Sequence, residues 1–116
     1  MSHTQNPANP RISLVVPVYR VQGYLRACLD SILEQSFTDF EIVAVDDHSP
    51  DACGRILDEY AARDSRVRPI HLEENQGIGK ARDLGALRAS GDYIFFLDSD
   101  DTVAEGALQA IADRLE

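Results

Sequence analysis

The stretch Tyr93-Ile94-Phe95-Phe96-Leu97-Asp98-Ser99-Asp100-Asp101-Thr102, YIFFLDSDDT, runs five apolar residues straight into three carboxylates. Taken alone, DSDD reads equally as a solvated turn, where Asp is common, or as a ligand set at the end of a buried strand. The rest of the chain decides between them. Three earlier runs share the short, apolar, β-branched character: Ile12–Val18 (ISLVVPV), Phe40–Val45 (FEIVAV) and Val67–Leu72 (VRPIHL). The first, second and fourth runs in chain order read as buried strands. Pro69 makes the third an edge or irregular strand.

Helical stripes separate these runs. Leu25, Cys28, Leu29, Ile32 and Leu33 follow the spacing of one amphipathic face. Ile56, Leu57, Tyr60 and Ala61 mark a second helix, and Ala81, Leu84 and Leu87 a third, with Gly91 as a stop signal. Leu108, Ile111, Ala112 and Leu115 mark a fourth. The βαβαβαβα order predicts an α/β, Rossmann-like fold, a mostly parallel sheet with flanking helices. In such sheets ligands bind beyond the carboxyl ends of the strands. There the chain places Tyr19-Arg20, Asp46-Asp47-His48-Ser49-Pro50-Asp51, Glu73-Glu74-Asn75-Gln76-Gly77 and Asp98-Ser99-Asp100-Asp101, so one edge collects polar and mostly acidic residues.

Length and charge narrow the classes. The 116 residues suffice for one small domain with a core. A formal net charge of -9 and a pI near 4.6 argue against a nucleic-acid binder, which needs a basic face. They also give no pull towards anionic lipid. Cys28 and Cys53 form neither a CxxC pair nor a zinc spacing. Cys28 falls on an apolar helix stripe, Cys53 in or near a turn, and the absence of a disulfide framework points to a reducing compartment. Residues 1–10, MSHTQNPANP, lack the apolar core of a signal peptide and read as a flexible leader, with the domain at 11–116. No apolar run is long enough to span a bilayer.

Asp46, Asp47, Asp98, Asp100 and Asp101 are expected to lie near one another. Two such charges about 5 Å apart repel by roughly 3 kcal/mol at an effective dielectric near 20, so a cation is expected. Asp98 and Asp100 alternate, which in an extended segment points both to one side. Oxygen-only ligands suit Mn²⁺ or Mg²⁺, hard ions that also take substrate phosphates. Three phosphate-related likenesses fall short. Asp98–Val103 resembles the nucleophile motif of haloacid-dehalogenase-type phosphatases, but here it sits near the chain end rather than after the first strand. Val45-Asp46-Asp47-His48 resembles a response-regulator receiver, but no lysine follows Asp98. Gly77-Ile78-Gly79 begins a dinucleotide fingerprint whose third glycine is replaced by Arg82.

Four stretches together, VVPVYR (15–20), YLRACLDSILEQSFTDFEIVAVDDHSPD (24–51), ENQGIGKARD (74–83) and SGDYIFFLDSDD (90–101), resemble the donor-binding half of a family 2 glycosyltransferase with the GT-A fold. A looser likeness is to the amino-terminal transferase domain of large bacterial wall-polymer proteins with a glycerophosphotransferase region. The resemblance implies transfer of a sugar from a nucleoside-diphosphate sugar, a uridine one, to a saccharide, lipid-linked or polymer acceptor. It implies that Pro17, Val18 and Tyr19 lie beside the base, that Asp47 accepts from the uracil edge, and that Asn75 and Gly77 form the loop near the base. Arg82, expected on the first turn of its helix, would face the diphosphate. Asp98 and Asp100 match the DxD signature, with Asp100 on the metal, Asp98 on ribose or metal, and Asp101 in support. Singly, Tyr19 reads as well as a core cap, Asp47 as an N-cap and Arg82 as a surface helix residue; together on one edge they favour a site.

Three positions depart from the family pattern. Arg20 stands where Asn is usual, His48, read as a turn residue, where Gly or Asn is frequent, and Asp83 where Asn is usual. The resemblance puts the general base and the acceptor site after the DxD stretch, about fifteen residues from Glu116. The chain is therefore expected to be a donor-binding fragment, inactive alone, cytoplasmic, with any membrane association through other regions. Exposed apolar surface and a homodimer are expected of it. The rival reading is a non-catalytic nucleotide- or metal-binding module.

Overall fold

The computed structural model describes residues 10–115, so residues 1–9 of the expected leader lie outside the described part. Pro10 is buried and its carbonyl accepts from Asp92 N at 3.2 Å. The elements follow in the order β1 (Ile12–Val18), α1 (Gln22–Leu33), β2 (Phe40–Asp46), α2 (Cys53–Arg63), β3 (Val67–His71), α3 (Ile78–Arg88), β4 (Tyr93–Phe96) and α4 (Ala107–Arg114). The four strands form one sheet in the order β3-β2-β1-β4, every pair parallel. β1 pairs with β2 from Ile12↔Phe40 to Val18↔Asp46, and with β4 from Ile12↔Tyr93 to Val15↔Phe96.

Strand alternation assigns the two faces. Ile12, Leu14, Val16 and Val18 of β1 join Phe40, Ile42 and Ala44 of β2 in the main core. Leu25, Cys28, Leu29 and Ile32 of α1, Cys53, Ile56, Leu57 and Tyr60 of α2, and Leu108 and Ala112 of α4 cover that face. The opposite face carries Val15, Val43 and Val45 and is covered by α3 through Ala81. The helix seats closely because Gly85 has no side chain: a Cβ there would stand 2.4 Å from Val15 Cγ1. The third helical stripe is thus Ala81 and Gly85, not Ala81, Leu84 and Leu87; Leu87 is 80% exposed. Small residues, not large ones, mark the face of a helix that must approach a sheet of valines.

β4 overturns a second expectation. It is an edge strand, not a buried one, with Tyr93, Ile94 and Phe96 exposed by 40%, 40% and 53%. Among the described residues its only neighbour is β1, and α3 packs over β1 and β2 rather than β4. Phe95 and Leu97 still pack against the main core. β3 is the other edge, as Pro69 indicated.

Beneath the α3 face, at the strand starts, lies a buried carboxylate that the sequence did not announce. Glu41 is fully buried. It accepts from Ser13 Oγ and Ser90 N, both at 2.6 Å, and pairs with Arg68. Ser13 Oγ in turn accepts from Gly91 N at 2.8 Å. A buried charge is tolerated when it is paired and hydrogen-bonded in this way.

Two devices shape the strand ends. Arg20 and His48 hold left-handed backbone, each with φ 57°, a region that Gly and Asn enter more easily than other residues. The family's preference at both positions thereby has a physical reason. His71 closes the top of β3: its Nδ1 lies 3.1 Å from Asp46 Oδ2 and its Nε2 2.8 Å from Asp58 Oδ1 on α2. Burial works to lower the His71 pKa, but the hydrogen bonds and charges of Asp58 and Asp46 outweigh it and hold the pKa above its ordinary value.

Two outcomes follow. His48→Gly and Arg20→Asn should each raise stability by about 1 kcal/mol, read as a higher urea midpoint; a lower midpoint would mean that the side chains' own contacts outweigh the backbone strain. For His71, the folded pKa lies above the unfolded value of about 6.5. Its stabilisation is therefore whole below that value and is lost as pH rises through the folded pKa. Urea midpoints from about pH 5.5 to about 9 should fall over that window in the wild type and lose that component in His71→Gln; parallel profiles would contradict the assignment.

Candidate functional site

In the strand order 3-2-1-4 the β1–β2 connection through α1 and the β3–β4 connection through α3 run in opposite directions on opposite faces, and a crevice opens at the carboxyl ends where the order reverses. A cleft of about 520 Å³ lies there, within the range of ligand sites. Pro17, Val18 and Tyr19 line it from the end of β1, Asp47 from the end of β2, and Asn75 and Gly77 from the β3–α3 loop. Arg82 lines it from α3, and Asp98 and Asp100 from beyond β4. The structure therefore brings Pro17, Val18, Tyr19, Asp47, Asn75, Gly77, Arg82, Asp98 and Asp100 to one cleft. Val21, Ile78, Ala81 and Ser99 complete the lining. The sequence reading left these four out; Ala81 had a signal, as the small residue on the buried face of α3.

Asp47 holds one side of the cleft in shape. Its carboxylate is nearly out of solvent, with the residue 3% exposed. Oδ1 accepts from Gln76 N at 2.7 Å; Oδ2 accepts from Gly77 N at 2.9 Å and Asn75 Nδ2 at 3.1 Å. Asn75 Nδ2 also donates to Asp47 O at 3.2 Å. One buried charge thus folds the Asn75–Gly77 loop over the end of β2. Gly77 can enter α3 with φ 96° because it has no Cβ. A carboxylate has about four acceptor positions, so the three donors to its oxygens leave one.

Asp46 does not join the acidic group, contrary to expectation. Successive residues point to opposite faces, so Asp46 turns away from Asp47. It accepts from Ser49 N at 2.9 Å and meets His71 instead. The loop after β2 is fastened further by Asp51, which accepts from Ser49 Oγ, Cys53 N and Gln22 N. Burial opposes ionisation there, but the hydrogen bonds from Ser49 and Cys53 lead in pulling its pKa down to about 2.

The acidic stretch is not extended. Asp101 N donates to Asp98 O at 3.0 Å, closing a turn. The turn, not alternation, gathers Asp98, Asp100 and Asp101, whose carboxylate oxygens come within 4.8 Å of one another. All three are exposed. Behind the turn lies Cys28, whose Sγ is 4.0 Å from Asp98 O. Burial first, then Asp101 and Asp100, push its thiol pKa up to about 12, so it stays a neutral donor. Arg82 reaches the turn from α3, its guanidinium 3.2 Å from Asp98 Oδ1, while its Nε is shielded and meets no acceptor. Arg82 is the fifth residue of α3 and so opens the second turn, not the first. Tyr19 lies across the cleft mouth with the Arg20 guanidinium 5.5 Å from its ring centre. The cleft presents an aromatic and apolar wall, one cation and, beside that cation, the acidic turn.

Comparison with known proteins agrees with this geometry. The chain matches the Glycosyl transferase family 2 model over residues 13–116. It is 41% identical over 107 residues to EpsJ, an uncharacterized glycosyltransferase of Bacillus subtilis (strain 168), covering 92% of this chain and 31% of that protein. It is 35% identical over 105 residues to the minor teichoic acid biosynthesis protein GgaB of the same organism, covering 89% of this chain and 12% of GgaB. The fold superposes on Staphylococcus aureus TarS residues 1–349, solved in complex with UDP-GlcNAc, with a TM-score of 0.83 and 34% identity, over 89% of this chain and 30% of that one. The chain spans less than a third of the length of each of these three proteins. With the family matched along almost all of its length, the chain belongs to glycosyl transferase family 2.

Proposed function

We propose that this chain forms the donor cradle of an enzyme that transfers a sugar from a uridine-diphosphate sugar to a hydroxyl of a growing polysaccharide or wall polymer. The observation that carries the reading is the gathering of Tyr19, Asp47, Asn75, Arg82, Asp98 and Asp100 around one cleft at the reversal of the sheet. The likeness to TarS, solved with UDP-GlcNAc, supports the uridine donor. The likeness to GgaB, a protein of minor teichoic acid biosynthesis, supports the acceptor class.

Each residue has a part in this reading. Pro17, Val18 and Tyr19 give the flat wall for the base. Asp47 keeps the Asn75–Gly77 loop closed and has one acceptor position left for uracil N3–H, which cytosine lacks. Arg82 lines the cleft beside Asp98, and its half-exposed guanidinium would meet a diphosphate oxygen. The carboxylates of Asp98, Asp100 and Asp101 fit Mn²⁺ or Mg²⁺ by donor chemistry: hard oxygen atoms, close together and open to water and phosphate. When bound, such an ion supplies positive charge to the donor diphosphate and the leaving nucleotide. The titratable side chains of the cleft are those of Tyr19, Asp47, Arg82, Asp98 and Asp100, all committed to donor or metal. We therefore assign the general base, the acceptor wall and any membrane association to regions outside this chain. The apolar edge at Ile94 and Phe96 is the surface through which we propose it self-associates when alone.

Calorimetric titration tests both ends of the cradle. Asp100→Ala should abolish the Mn²⁺-dependent part of uridine-diphosphate binding while leaving the metal-free fold as stable or more so, because repulsion is relieved; an unchanged metal-dependent affinity would sink the assignment. At the base end, cytidine diphosphate should bind roughly tenfold to a hundredfold more weakly, the equivalent of about 1.5–3 kcal/mol for a lost charged hydrogen bond. Equal affinities would remove Asp47 as the base reader. Incubation of the 116-residue chain with the donor, Mn²⁺ and hydroxyl acceptors should give no glycosylated product by mass spectrometry. Product that disappears in Asp100→Ala would place the base within the chain.

A further inference from the structure

The acidic turn belongs to a segment with little support of its own. Between the end of β4 and the start of α4, residues 97–106 contain the turn closed by Asp101 N on Asp98 O and no regular element. Three like charges within 4.8 Å push that turn to open. Gly106, at the N-cap just before α4, has left-handed backbone and gives no side-chain cap.

The missing support comes from α1, about seventy residues earlier in the chain. Cys28, Ser31 and Gln35 recur on one face of α1 and the turn that ends it. Ser31 Oγ donates to Cys28 O at 2.7 Å and accepts from Val103 N at 2.9 Å. Gln35 Nε2 donates to Ala104 O at 2.9 Å and to Ser31 O at 3.0 Å, and its Oε1 accepts from Leu108 N at 3.2 Å. Gln35 is 6% exposed and Leu108 1%. The side-chain amide therefore supplies, from the turn after α1, the acceptor that the first turn of α4 lacks. A buried N–H without an acceptor is destabilising. With Cys28 Sγ beside Asp98 O, one polar rail meets four backbone groups of the segment: Asp98 O, Val103 N, Ala104 O and Leu108 N.

We propose that Ser31 and Gln35 are positioning residues for the Asp98–Asp100–Asp101 carboxylate group. They fix the backbone on the far side of the turn, so the carboxylates stand together before a cation arrives rather than being assembled by it. The proposal rests on the reading of that group as the divalent-cation site. Neither residue lines the cleft, so both act through the segment they hold and not on the donor itself. Preorganisation of this kind strengthens binding without adding a contact.

The test uses the 116-residue chain and Mn²⁺ alone as probe, with free Mn²⁺ followed by electron paramagnetic resonance. Uridine diphosphate in the presence of a chelator serves as the control for the base end, and hydrogen exchange follows the amides of Val103 and Leu108. Ser31→Ala and Gln35→Met should weaken Mn²⁺ binding about fivefold or more, speed exchange at those amides, and change metal-free nucleotide binding less than about twofold. Ser31→Thr, which keeps the hydroxyl, should restore Mn²⁺ affinity. Equal Mn²⁺ affinity in wild type and both variants overturns the positioning role and leaves the metal site standing. Failure of the wild type to bind Mn²⁺ overturns both. Equal losses of Mn²⁺ and metal-free nucleotide binding would show a general structural role, against the proposal. If Gln35→Met does not fold, the Ser31→Ala and Ser31→Thr pair decides the question.

Discussion

The pairing of β1 with β2 on one side and β4 on the other is the constraint from which the cleft follows. β1 is buried along all seven residues, and only a strand covered on both faces can serve as the central support. With the strand order reversing at β1, α1 and α3 cover opposite faces of the sheet. The crevice at that reversal is set by the sheet rather than by the loops. Tyr19 and Asp98 consequently face one crevice although about eighty residues separate them.

Buried carboxylates then do the fine positioning, at opposite ends of the same strand. Glu41 near the start of β2 ties the loop before β4 to β1 and β3, through Ser90, Ser13 and Arg68. Asp47 just past its end ties the loop before α3. Each is removed from water, so its charge depends on the donors it meets, three at either carboxylate. In both cases backbone N–H groups supply donors. A loop held by a buried charge closes in one shape and gives that side of the cleft a fixed wall.

The alternation of apolar runs and helical stripes made the element order and the parallel sheet legible, because strand and helix periods differ so clearly in Ile12–Val18 and in Leu25–Leu33. The candidate site was legible because ligand residues cluster after strands. What escaped depended on neighbours that a single period cannot report. The YIFF run is apolar whether it lies in the middle of a sheet or at its edge, and only strand order separates the two. Gly85 carries no hydrophobic signal, yet it sets the distance of α3 from Val15. Asp46 and Asp47 are chemically identical, and their opposite destinations come from the pleat. Ser31 and Gln35 look like ordinary polar residues at the end of a helix until the segment they hold is seen.

The ladder from Ile12↔Tyr93 to Val15↔Phe96 also carries a kinetic meaning. The β1–β2 and β2–β3 pairs each close over one helix, whereas β4 must find β1 across nearly the whole described chain. Contacts that span long separations come late, since the entropy of closing the loop is lost before any contact rewards it. β4 meets only one partner strand and leaves Ile94 and Phe96 in water, so little holds it once formed. The topology thus implies that the strand bearing the acidic turn docks last and opens first, with its amides exchanging at a lower free energy than those shared by β1 and β2. The acidic turn would then be a late annex to an already folded three-stranded core, and the mutual repulsion of its carboxylates would not burden the earlier steps of folding.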